Sequence, residues 1–213
     1  MSTAAATAPP KRLPPGRHKL TREQVRESQR QRLIAAATEC LAEHGYGQVT
    51  VTQVAKRAGV STATFYKRCD DLWACLLDAY EAAADRLCEE IEGVCATVPG
   101  EREARAQAGI GAALALLASE PALAHLLTAE PPGQVTSLWA ARLRLIGRLS
   151  TMLHEARGSH GDSIRETRLI GGAFALVSIS ARAEGTGRVE HLASALTEFL
   201  LAPPRDSPCP SGT

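Results

Sequence analysis

Residues Ala55–Arg68, AKRAGVSTATFYKR, decide how the chain is read. The sequence around them is rich in Ala and Leu. Here one Gly gives way to small hydroxyl residues, then to two aromatics and two cations. Gly59 can take the positive φ that a sharp reversal between helices needs. Ser61 suits the N-cap of a following helix, which the pattern carries to about Arg68. Upstream, Thr50 and Gln53 make a capping-box pair that opens a short helix ending at Ala58. Two short helices joined by a tight glycine turn form a helix-turn-helix.

The pattern sorts inward from outward positions. Val54, Ala58, Val60 and Phe65 are expected to face inward, with Ala55 small where the two helices cross. Thr62, Ala63, Thr64, Tyr66, Lys67 and Arg68 are less required by packing. Small side chains early in a recognition helix let its backbone approach the major groove. Thr can hydrogen-bond base edges or phosphate, and a Thr or Ala methyl can meet the thymine methyl. Lys67, Arg68 and the Tyr66 hydroxyl suit phosphate oxygens. An ordinary helical hairpin with a solvated polar face is the plain alternative.

Working outward, Thr21 and Gln24 form another capping box, opening a helix that Gly45 ends. Leu33, Ala36, Ala37, Cys40 and Leu41 give that helix one buried face at helical spacing. Residues 1–20 hold Pro9, Pro10, Pro14 and Pro15 among Lys11, Arg12, Arg17, His18 and Lys19, and read as an extended basic arm. Charge is divided unevenly: residues 1–68 carry 12 Lys/Arg against 4 Asp/Glu, and residues 69–213 carry 12 against 19. A basic N-terminal part is the electrostatic footprint of nucleic-acid binding.

Downstream the chain reads as helix throughout. Asp70 and Asp71 supply acidic capping for a long helix with an apolar stripe at Leu72, Leu76, Tyr80, Ala83, Leu87 and Ile91. Pro99-Gly100 breaks the pattern. Helical segments follow at 101–118, just after Ser119, from about Leu138 to Leu153, at about 163–183, and finally to near Leu201. Gly171-Gly172-Ala173 would let a neighbouring helix come close. No alternating strand pattern competes, so the class is all-α. The expected organisation is a basic arm at 1–20, a three-helix helix-turn-helix domain at 21–69, a helical effector and dimerisation domain at 70–202, and a tail at 203–213.

The stretch QRLIAAATECLAEHGYGQVTVTQVAKRAGVSTATFYKRCDDLWACLLDAY resembles the N-terminal domain of the tetracycline-repressor (TetR) family. The matching features are the AA and HGY of the first helix, VTQVAKRAGVS, and TFY leading into CLLDAY. The resemblance implies a dimeric, usually ligand-responsive transcriptional regulator, most often a repressor, on double-stranded operator DNA. Carried over by position, Thr50 and Thr52 would touch backbone or base from the second helix. Ser61, Thr62, Ala63, Thr64, Tyr66, Lys67 and Arg68 would line the recognition surface. Lys11, Arg12, Arg17 and Lys19 are arm candidates for phosphate or minor-groove contact. Trp139 lies on the helix that lines the effector cavity in this family, where it would stack on a flat ligand or pack in the core. Three positions depart from the family pattern: Cys69, Leu72 and Trp73 stand where Phe, Lys and Glu are frequent. Their replacement leaves open weaker DNA binding, an altered target, or an interaction protein that keeps the fold without reading DNA.

Other classes find little support. No nucleophile elbow, P-loop, HExxH or dinucleotide fingerprint occurs, and the six His are scattered, so no enzyme, metal or cofactor is expected. The six Cys form no CxxC pair and read as buried thiols, with a redox-responsive regulator as the alternative. MSTAAATAPPKR lacks a signal peptide's apolar stretch, and no apolar run suits a membrane span, so a soluble cytoplasmic protein is expected. Ile170, Phe174, Val177, Leu192, Leu196 and Phe199 on the last two helices exceed what one short bundle needs, and point to a homodimer. Two-fold symmetry would then call for a palindromic site. The effector's identity does not follow from the sequence.

Overall fold

A computed structural model describes residues 21–99, 101–158, 164–184 and 189–201, with side chains left out at 180–184 and 189–193. The arm and the tail lie outside the described residues. The described chain is helical, with no strand among the described residues: α1 Arg22–His44, α2 Val51–Ala58, α3 Thr62–Tyr66, α4 Leu72–Thr97, α5 Arg102–Ser119, α6 Pro121–Thr128, α7 Thr136–Arg157, α8 Ile164–Glu184 and α9 Val189–Leu201.

Local chemistry sets the early boundaries. Thr21 and Thr50 each accept from the backbone N–H three residues on, while the Gln24 and Gln53 side chains reach back to the capping N–H groups. Both boxes thus satisfy orphan donors at helix starts. Gly59 closes α2 in the left-handed region at φ 65° and ψ 37°, where a Cβ would be strained. Ser61 caps α3 and Asp71 caps α4. Pro121 begins α6, where its missing N–H has no helical partner to lose. The α5 and α6 axes meet at 110°.

Helix α1 packs on α2, α4 and α6, and thereby joins the N-terminal trio to the larger bundle. Its buried residues are Leu33, Ala36, Ala37, Cys40 and Leu41, the five its periodicity marks. Helix α4 lies against α5, α6 and α7, and α5, α7, α8 and α9 close the body. Between α8 and α9 the close approach is real: a Cβ on Gly172 would stand 3.3 Å from the Phe199 ring. Among the described residues, no single helix is long and apolar enough to cross a membrane.

The last two helices correct one expectation. Ile170, Phe174, Val177 and Leu196 are buried within this chain, so they are not spare surface for a partner. Leu192 falls among the side chains outside the description. Phe199 of α9 is exposed as expected, and among the described side chains of α8 the large exposed apolar ones are Ile164, Leu176 and Ile179.

Candidate nucleic-acid interface and effector cavity

Helix α3 has only five residues, too short to persist alone. One side chain anchors it: Phe65 is fully buried, among Val54, Ala55 and Ala58 of α2 in the same core. The turn is tied by Val60 N–H donating to the Ala55 carbonyl at 3.0 Å. Arg32 of α1 donates to the Ala58 carbonyl at 2.9 Å, closing the end of α2. With Phe65 inward, Ser61, Thr62, Ala63, Tyr66 and Lys67 stand exposed, Tyr66 at 58%.

Several site residues sit differently from the sequence expectation. Helix α3 ends at Tyr66, two residues earlier than expected, and Lys67 and Arg68 form a turn. Thr64 is half-buried, with its hydroxyl 3.0 Å from the Ser61 hydroxyl, so it reinforces the cap. Arg68 is also half-buried, and its Nε and Nη2 donate to the Gln29 side chain of α1 at 3.2 and 3.1 Å. The Thr50 hydroxyl is occupied by its capping box, whereas Thr52 is exposed on the first turn of α2. The arm residues Lys11, Arg12, Arg17 and Lys19 lie outside the described residues.

The cations of the N-terminal helices divide into ion-paired and exposed ones. Arg57 pairs with Glu43 at 2.5 Å and Glu39 at 3.7 Å, and the Glu43 carboxyl is held below its ordinary range by that bond. Lys56, Lys67, Arg22 and Arg26 are exposed. Sequence reading passed over Lys56, although the polar pair Lys56-Arg57 at the end of α2 was its signal.

The three departures from the family pattern all pack inward. Cys69 is buried, and Leu72 and Trp73 are half-buried against the core. The Trp73 ring centroid stands 6.4 Å from that of Tyr46, in the α1–α2 loop. Cys40, Cys69, Cys75 and Cys88 are buried free thiols and Cys95 is half-buried. Burial pushes the Cys40 and Cys88 thiols up, while a hydrogen bond with Cys75 lowers that of Cys69.

The body encloses a cavity of about 120 Å³. Its wall draws Leu87 and Ile91 from α4, Ile110 and Leu117 from α5, Leu127 and Thr128 from α6, Met152 and Leu153 from α7, Phe174 from α8 and Leu200 from α9, among others. Thr128 is the polar side chain in that wall, and its hydroxyl is already donated to the Ala124 carbonyl at 2.7 Å. Such a space suits an apolar molecule. Trp139 does not line it: it is half-buried in the first turn of α7, whereas the cavity meets α7 from Leu149 to Ala156. Ten residues of helix separate Trp139 from Leu149, about 15 Å along the axis. Behind the wall, Arg142 is buried and Tyr80 donates to the Leu127 carbonyl at 3.4 Å. No group of three or more His, Cys, Asp or Glu able to hold a metal ion occurs among the described residues.

A capped pair of short helices reversed by a left-handed glycine, set on a helical body, defines a helix-turn-helix protein of the transcription-regulator class. Residues 33–68 match the family described as bacterial regulatory proteins, tetR family. The chain is 33% identical over 96 residues to the HTH-type transcriptional regulator HbdR of Aromatoleum sp., covering 37% of this chain and 42% of that one. It is 38% identical over 58 residues to an uncharacterised HTH-type transcriptional regulator of Mycobacterium bovis, covering 26% and 31%. The chain thus spans less than half the length of these relatives. In fold it is similar to the fatty acid degradation regulator FadR of Bacillus halodurans, with TM-score 0.69, 20% identity, and 82% and 95% of the two chains covered. The FadR of Bacillus subtilis, solved in complex with stearoyl-CoA, gives TM-score 0.66 at 20% identity, covering 80% and 97%. Residues 33–68 thus carry the tetR-family helix-turn-helix segment, and the chain shares the fold of these solved regulators.

Proposed function

We propose that the protein is a dimeric repressor that grips a palindromic operator through paired helix-turn-helices and releases it when an apolar small molecule fills the cavity. The observation that carries the DNA half is α3 itself, pinned by Phe65 while Thr62, Ala63, Tyr66 and Lys67 are left outward. Thr52, Ser61 and Thr64 border this surface. Thr50 and Arg68 support it through their bonds to Gln53 and Gln29. The arm residues Lys11, Arg12, Arg17 and Lys19 would add phosphate or minor-groove contacts, so removing residues 1–19 should flatten the salt dependence of binding.

The dimer reading rests on α8. Ile164, Leu176 and Ile179 fall at helical spacing on its outer side, and Phe199 extends the patch beside Gly172. An exposed apolar patch of this kind marks a protein contact, and two helices from each of two copies make a four-helix interface.

Helix α4 supports the coupling. It starts at Leu72, directly behind the recognition turn, and brings Leu87 and Ile91 to the cavity wall. A ligand acts on DNA only through its different affinity for two arrangements of the dimer. Movement of the far end of α4 would reset the distance between recognition helices. The fold-similar FadR of Bacillus subtilis was solved with stearoyl-CoA, whose acyl chain is apolar, and this supports an effector with an apolar part.

Fluorescence anisotropy with duplexes from the chain's own upstream region tests the reading. The expected result is saturable binding of two chains to one palindrome, far tighter than to a scrambled duplex. Equal affinity for both duplexes across salt concentrations would overturn operator recognition and favour an interaction protein that keeps the fold.

A further inference from the structure

The chemical class of the cavity's ligand follows from what its wall lacks. Small residues open the space: Ala106, Gly109 and Ala113 fall at helical spacing on α5, and Ala156 of α7 and Ala173 of α8 also line it. Larger side chains at these positions would close it into ordinary core. Among the described residues, the wall holds no Lys, Arg, His, Asp or Glu. Its side-chain heteroatoms are the Met152 sulfur and the Thr128 hydroxyl.

The polar atoms where α6 meets the cavity are already engaged. The Thr128 hydroxyl gives its one hydrogen to the Ala124 carbonyl at 2.7 Å. The Leu127 carbonyl accepts from the Tyr80 hydroxyl at 3.4 Å and from Arg142 Nη1 at 3.2 Å, and the Thr128 carbonyl accepts from the same nitrogen at 3.0 Å. Arg142 itself is buried and is not part of the wall. A charged head group placed in this space would lose its hydration and meet no partner. A ligand hydroxyl would find no donor, and only the Thr128 oxygen to accept its hydrogen.

Size sets the second limit. The cavity holds about 120 Å³. An apolar cavity of about 150 Å³ lined by Leu, Ile and Phe stays dry and takes benzene, so this space suits about six to eight carbon atoms and is too small for a long acyl chain. Left empty, its lining atoms forgo dispersion contacts, which a ligand of matching size restores without any polar bond.

We propose that the cavity takes a compact, uncharged hydrocarbon of about single-ring size. As an effector, this ligand rests on reading the cavity as the effector site. Phe174 and Met152 in the wall add edge and thioether contacts that an aromatic ring uses well.

The test uses the full chain and three probes: toluene, phenol and stearoyl-CoA. Toluene and phenol share a ring and a heavy-atom count, so their difference isolates one hydroxyl. Calorimetry on the wild type should show toluene binding about tenfold or more tighter than phenol. At about a hundredfold above its dissociation constant, toluene should raise the midpoint of thermal unfolding by about 5–10 °C. Ala113→Leu puts a larger side chain into the space and should weaken toluene binding about tenfold or more. Circular dichroism checks that this variant is folded, and the wild-type comparison stands without it. Equal affinity for toluene and phenol would overturn the hydrocarbon class. A folded Ala113→Leu variant that binds toluene as the wild type does would place the ligand elsewhere and overturn the proposal. Absence of toluene binding would also overturn it, and stearoyl-CoA binding in its place would leave the effector reading intact. Toluene bound as expected, but without release of operator duplex in anisotropy, would uphold the cavity ligand and overturn only the effector reading.

Discussion

Replacing Tyr46 by Phe should make the protein more stable. The hydroxyl of Tyr46 is buried and has no hydrogen-bond partner among the described residues, while its ring sits beside Trp73 and packs on the core. An unsatisfied buried hydroxyl costs about 1–3 kcal/mol, and Tyr46→Phe removes that cost while keeping the ring. For a chain of this size, each kcal/mol moves the midpoint of thermal unfolding by about 2–4 °C. The expected rise is therefore about 2–12 °C, with the urea midpoint moving in parallel and its slope unchanged. Alkaline pH adds a second signature. Burial lifts the phenol from its ordinary 10 to about 12, with the Arg142 guanidinium opposing. A group whose folded value is raised stabilises fully below its unfolded value, and that contribution is lost as pH rises through the folded one. At about 1.4 kcal/mol per pH unit, the wild type should lose about 3 kcal/mol between pH 10 and 12 on account of Tyr46. Burial raises the Tyr80 phenol too, so the informative quantity is the difference between wild type and Tyr46→Phe across that window. A loss of more than about 1 kcal/mol at neutral pH would show that the hydroxyl has a partner and refute the argument.

Three further outcomes follow from the same geometry. Tyr66→Ala should weaken operator binding by about 1–3 kcal/mol in anisotropy titrations while circular dichroism stays unchanged, since the side chain is largely exposed; unfolding would mean the helix face is misassigned. Gly59→Ala should cost about 1–2 kcal/mol in urea denaturation, because φ 65° places a Cβ against the following carbonyl oxygen; an unchanged midpoint would show that the turn can relax. Introducing Leu176→Glu and Ile179→Glu together should convert a dimer to monomers in light scattering without loss of helicity, as both side chains point away from their own chain's core; a persisting dimer would place the interface elsewhere.

Legibility in the sequence tracked the range of the interactions. The caps at Thr21, Thr50, Ser61 and Asp71 were readable because each uses a side chain three residues from its partner. The buried face of α1 was readable from spacing alone. The early end of α3 was not, since Arg68 is drawn to Gln29, 39 residues away. Helix α8 is apolar on two sides, and periodicity did not say that Ile170 and Phe174 turn inward while Leu176 and Ile179 turn outward. Trp139 drew attention as a large aromatic, yet the cavity lies farther along α7. Arg142 is one of several arginines along α7, and its burial depends on α6 and α8 meeting around it.

The single anchor of α3 has an evolutionary consequence. Phe65 and the Ser61 cap hold the helix, while Thr62, Ala63, Tyr66 and Lys67 contribute almost nothing to the core. Substitutions at exposed positions usually change stability by less than about 0.5 kcal/mol. A lineage could therefore exchange those side chains one at a time without crossing the threshold for folding. Duplicated copies of such a gene would diverge in the sites they occupy long before they diverged in architecture.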